Sequence, residues 1–178
     1  MYVLLFAAAA ALVQFPVAGS VVKPGTIAIV AADSPTTSPA ITKTFMDAVQ
    51  RTLLRTPFLP LPHANHSLYV AKVETSQTQR GVVRSGNDEL NRPGMAAGLG
   101  SLSLTLPSGK DQLHGLIVTR LKVTESLRRD SRVVWTGQAT TVRASGTRTG
   151  DPSVVAAALS DTLRTWFPRQ LPGPLSVP

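Results

Sequence analysis

Cysteine is missing from this chain altogether. That excludes a disulfide framework, a thiolate nucleophile and a cysteine-ligated zinc site. It also removes the residue on which a bacterial lipoprotein carries its lipid. Aromatic residues make up 5% of the sequence, too few for the stacking platforms that read single-stranded nucleic acid. Acidic residues are scarce, 10 against 18 Lys and Arg. They are scattered, so no pair of carboxylates stands out for acid–base work. No apolar run approaches the ~20 residues that a membrane-crossing helix needs. Neither the G-x-S-x-G elbow of a serine hydrolase nor a Gly-Lys-Ser/Thr phosphate loop occurs.

What is present starts at the first residues. Met1 to Ala11 reads MYVLLFAAAAA, and small residues follow at Val17, Ala18, Gly19 and Ser20. The apolar run from Val3 to Val13 has the length of a signal-peptide core and is too short for a bilayer. We therefore expect residues 1–19 to be an export signal cut after Gly19, although Met1-Tyr2 lacks the usual positive charge. The expected address is the periplasm of a Gram-negative bacterium or the outside, soluble after cleavage and without a lipid anchor. Residues 20–168 then form a single domain and residues 169–178 a Pro-rich tail, extended or disordered. The net charge of +8 lies wholly downstream of the cut. Such a protein is drawn to anionic surfaces such as phosphate-rich lipids or acidic glycans.

Periodicity supplies the elements. Thr26 to Ala32 reads as a buried strand. Ser38-Pro39 offers a cap with Pro at the first helical position. Ile41, Phe45, Ala48, Val49, Thr52 and Leu53 then recur at helical spacing as far as Pro57. Pro57 to Asn65 reads as turn, Leu68 to Thr75 as a strand, and Ser76 to Gly100 as a long loop with room for a short strand at Val82-Val83. Ser101–Leu106, Gly115–Glu125 and Arg132–Arg143 alternate as an antiparallel meander, with a polar turn at Arg128–Ser131. Asp151-Pro152 repeats the cap signal, and Val155, Ala158, Leu159, Thr162, Leu163 and Trp166 form a second amphipathic helix that stops at Pro168. The expected fold is α+β: a largely antiparallel sheet with both helices on one face, in the order β-α-β-β-β-α.

The chemistry-bearing residues are few. His63 and His66 have the spacing of a metal pair but stand in a Pro-rich loop without a neighbouring carboxylate, so we read them as solvated. His114 reads as a turn residue. Ser20 to Lys23, Ser85-Gly86-Asn87 and Arg148-Thr149-Gly150 echo the S-x-x-K, S-D-N and K-T-G set of penicillin-interacting enzymes. The serine sits at the cleavage site and the large helical domain is missing, so we read coincidence. Gly94, Gly98 and Gly100 precede a strand instead of a helix, the wrong order for a phosphate cradle. Trp135 and Trp166-Phe167 lie on apolar registers and are expected in the core. The candidate binding residues are arginines: Arg80, Arg84 and Arg92 in the long loop, with Arg128, Arg129 and Arg132 at the hairpin, read together as one basic surface. No catalytic residue, metal ligand or cofactor site is assigned, and no nucleic acid is expected.

The stretch Val133-Val134-Trp135-Thr136-Gly137-Gln138-Ala139, reached through a polar turn, is followed by a capped helix closing in Trp166-Phe167-Pro168. This order resembles the small bacterial envelope proteins grouped as domain of unknown function 4136. His66-Ser67-Leu68-Tyr69-Val70 occupies the family's second-strand place without its acid, and the likeness runs over residues 26–168. Many members are lipoproteins, from which this chain departs by lacking the Cys. The resemblance implies envelope location and fold, and no chemistry. The expected role is a non-catalytic binding or accessory protein that meets an envelope protein or an anionic envelope component. The alternatives are a small periplasmic hydrolase and an oligomeric structural component.

Overall fold

The structure, a computed structural model, describes residues 22–32, 37–85, 112–169, 171 and 173–178. The proposed signal, Arg92, the glycine-rich stretch and the expected strand at Ser101–Leu106 lie outside the described residues.

Strand β1 (Gly25–Ala31) leads to helix α1 (Pro39–Leu53) and strand β2 (Phe58–Leu61). A single 3-10 turn (Ala64–His66) precedes β3 (Tyr69–Ser85). β4 (Gln112–Leu127) and β5 (Val133–Ala144) complete the meander. Helix α2 (Pro152–Trp166) and the short β6 (Leu175–Val177) follow. The sheet order is β2-β1-β3-β4-β5-β6. β3, β4 and β5 pair antiparallel over their lengths. β1 pairs parallel with β2 and β3, and β6 parallel with β5. The α+β expectation holds, with both helices on one face of the sheet.

Both helices begin as their sequences require. The Ser38 hydroxyl accepts from the Ile41 N–H, Asp151 accepts from the Ser153 N–H, and each is followed by a proline whose missing N–H costs the helix nothing. α1 turns Phe45, Ala48, Val49 and Leu53 inward, and α2 turns Val155, Ala156, Leu159, Ser160 and Leu163. They pack on Ile27, Tyr69, Ala71, Val73, Leu121, Val123, Trp135 and Ala139.

Several expectations change. The Pro57–Asn65 segment contains β2, an edge strand that tolerates Pro60 because an edge residue need not donate to a neighbour. β3 continues ten residues past Thr75, where a loop was expected. Its apolar alternation fades there because β1 flanks it only from Tyr69 to Val73. The tail contributes β6, whose Leu175 and Val177 pack against the core. His114 is a β4 residue whose Nδ1 lies 2.6 Å from the Ser145 carbonyl. Trp135 is buried, but Trp166 is 41% exposed, contrary to the core reading. Among the described residues no helix is long and apolar enough to cross a membrane.

Candidate functional site

β1, β2, β3 and β5 all run from one end of the sheet, and β4 returns to it. α1 runs back between two parallel neighbouring strands, so its C-terminus arrives at this same end. α2 does the same after β5. Phe58 and Tyr69 at the strand starts meet edge-on at 5.3 Å, and Phe167 behind α2 lies 5.6 Å from Phe58 and 5.4 Å from Trp135. One pole of the domain therefore gathers the helix C-termini, the strand starts and the β4–β5 turn.

The outer surface of this pole is basic and apolar together. Leu54, Leu59, Leu68 and Trp166 expose 62%, 60%, 47% and 41% of their surface, so half of the large exposed hydrophobics of the described residues collect here. Lys23, Arg128, Arg129, Arg132 and Arg169 are exposed beside them. Two acids stand near and both are engaged: Asp130 in the turn accepts from the Arg132 backbone N–H, and Asp161 of α2 pairs with Arg55 at 3.4 Å. Arg128 is fixed by its Nε, which donates to the Ser67 carbonyl at 2.8 Å. Its own N–H donates to the Leu68 carbonyl. That pins the turn to the start of β3 and presents Leu68 next to the arginines.

The six arginines singled out from the sequence do not form one surface. Arg128, Arg129 and Arg132 share the β4–β5 turn. Arg80 is exposed on β3 at a bulge facing Ile117 and Leu116, some eleven residues from Tyr69. At ~3.3 Å per strand residue that is roughly 35 Å away. Arg84 is further still along β3, and Arg92 lies outside the described residues. His63 and His66 are exposed, as expected.

Between the helix C-termini a crevice leads inward, and sequence reasoning missed its floor. A cavity of about 30 Å³ is lined by Leu53 and Thr56 of the α1 end, by Ser160, Leu163, Arg164 and Phe167 of the α2 end, and by Val123, Glu125 and Trp135 of the sheet. Space of this size holds about two water-sized groups. Glu125 is 1% exposed, and its Oε2 has no hydrogen-bond partner among the described residues. Burial pushes its carboxyl up to about 8, so the acid is neutral at pH 7. Ser160 Oγ and Arg164 Nε, one helical turn apart, are likewise buried without a hydrogen-bond partner among the described residues. The Arg164 guanidinium leans on Asp161 at 3.9 Å. The same alternation that places Thr119, Leu121 and Val123 under the helices carries Glu125 there. Extending the apolar register of β4 by two places would have found it.

Trp135 shapes the other wall. Its indole N–H donates to the Arg169 carbonyl at 2.9 Å. Its six-membered ring lies against Gly137, where a Cβ would clash with Trp135 Cη2. The Trp-x-Gly spacing thus has a steric cause. Among the described residues no group of three His, Asp or Glu gathers to hold a metal.

Comparison with family models and with curated proteins finds no match. Among solved structures, the PelC dodecamer from Paraburkholderia phytofirmans is similar in two crystal forms. Both give a TM-score of 0.46, one at 16% identity over 78% of this chain and 84% of that chain, the other at 15% over 79% and 84%. A Xanthomonas campestris protein of the family DUF330 gives a TM-score of 0.40 at 15% identity, over 81% of each chain. At such identity no residue of the site carries over.

Proposed function

We propose that this chain is an exported, envelope-associated binding or accessory protein that works without catalysis, docking its basic and apolar pole on an anionic lipid surface. The observation that carries the reading is the coincidence, on one pole, of five exposed cations with four exposed large apolar side chains, one of them Trp. Each Lys or Arg near an anionic bilayer contributes about 1 kcal/mol, and Trp and Leu favour the headgroup boundary. The resemblance to domain of unknown function 4136, in Val133–Ala139 and Trp166–Pro168, supports the envelope address.

Cosedimentation with vesicles tests this. The protein should bind vesicles rich in phosphatidylglycerol, ignore phosphatidylcholine, and come off as salt approaches about 0.5 M, where screening shortens to a few Å. Arg129→Glu with Arg132→Glu should weaken binding about tenfold or more and flatten its salt dependence. Arg128 is left intact because it also ties the turn to Ser67. Equal binding to both vesicle types, or none to either, overturns the proposal.

A second reading rests on β3. From Ser76 onward no described strand covers its β1 side, which offers an extended partner a row of free backbone groups. Such a partner would protect amides 76–83 from hydrogen exchange and leave the vesicle assay unchanged.

A further inference from the structure

The crevice between the helix ends has features that a structural core does not require. Burying an unpaired acid, hydroxyl or guanidinium N–H each costs free energy, and three around one small cavity is unusual. Glu125 comes from β4, and Ser160 and Arg164 from α2. The end of α1 adds Leu53, and the turn after it Thr56, whose hydroxyl is already committed to the Leu53 carbonyl at 2.6 Å. The charged groups near the cavity are Arg164 and, outside it, Asp161 and Arg55, which are paired at 3.4 Å.

The unpartnered groups are complementary to one kind of guest. A neutral Glu125 offers an O–H, Ser160 an O–H and Arg164 an N–H carrying positive charge. All three are donors lining one cavity. The rest of the wall is apolar: Val49, Leu53, Val123, Leu163 and the rings of Trp135 and Phe167. A cationic guest would meet the Arg164 guanidinium, and the one acid beside it, Asp161, is already shared between Arg164 and Arg55. A phosphate would bring more charge than one guanidinium offsets and more bulk than the cavity admits. The negative ends of both helices point here, and Arg51 and Arg164 in their last turns offset them.

We infer that this crevice is a binding site for a small monocarboxylate with an aliphatic tail, its head held by Glu125, Ser160 and Arg164 and its tail running out past Leu53 and Phe167. The inference rests on the crevice alone and not on how the outer surface docks.

Calorimetric titration of the full chain with octanoate, octanol and octylamine tests it. Octanoate should bind at pH 7, and octanol, with the same tail and no charge, about tenfold more weakly, the usual effect of losing a charge-assisted hydrogen bond. Octylamine should not bind. Octanoate affinity should fall as pH passes above about 8, when Glu125 ionises and repels the guest. Arg164→Met, at a partly exposed position that tolerates change, should lose about tenfold in octanoate affinity and leave octanol unaffected. Arg129→Glu with Arg132→Glu should leave octanoate binding intact, which separates this site from vesicle docking. Equal affinities for octanoate and octanol, no heat with either, or a high-resolution structure soaked in octanoate that shows ordered waters only, overturns the inference.

Discussion

Glu125 sets the pH behaviour of the fold. Its carboxyl titrates near 8 when folded, against an ordinary value of 4.5. The folded state therefore holds a proton that the unfolded state releases between these values, and stability falls as pH rises through that window. It is full below about 4.5 and flat above about 8, with a loss on the order of 5 kcal/mol. Urea unfolding at pH 5 and pH 9 should show the decline. Glu125→Gln, which keeps the shape and cannot ionise, should abolish most of it and be the more stable protein at pH 9. Gly137 answers to geometry instead of charge. Gly137→Ala should cost about 1–3 kcal/mol in urea unfolding, because Trp135 must leave its rotamer to admit a methyl group. The sequence announced Trp135 through its apolar register but said nothing of what the indole covers. It misplaced Trp166 because the adjacent Phe167 takes the inward place at that end of the helix, against Phe58 and Trp135.

Elements were legible wherever one face is buried and the other wet. β1, β4, β5 and the two helices follow their periodicities to within a residue or three, and both Pro-preceded caps stand where the sequence puts them. Legibility failed where that contrast disappears. The far half of β3 pairs with β4 but leaves Thr78, Gln79 and Arg80 exposed in succession, so the stretch looks like loop. β2 and β6 are short edge strands whose partners are parallel and distant in sequence, a pairing that no local pattern encodes. The contrast also predicts where truncation hurts. Leu159→Ala on α2, fully buried between helix and sheet, should destabilise by about 2–5 kcal/mol. Val82→Ala on the far half of β3, where 57% of the side chain is exposed, should change stability by less than about 0.5 kcal/mol. Thermal unfolding of the two variants side by side checks the difference.

At the scale of the whole molecule, composition revealed the charge and not its distribution. The excess of cations is readable from a count. Their division between a turn at one pole and a strand near the other depends on the β3–β4 register, which spaces Arg80 from Arg129 along the full core of the sheet. Arg80→Glu should therefore leave vesicle binding within about twofold of the parent, whereas the Arg129 and Arg132 reversals lower it, although each substitution changes net charge by the same amount. The long hairpin gives this polarity a mechanical sense. β3 runs 17 residues away from the basic pole, a reach of about 50 Å at strand rise. A domain standing on its arginines would hold the tip of that ribbon clear of the headgroups like a mast, and set the standoff at which anything grasping the tip must work.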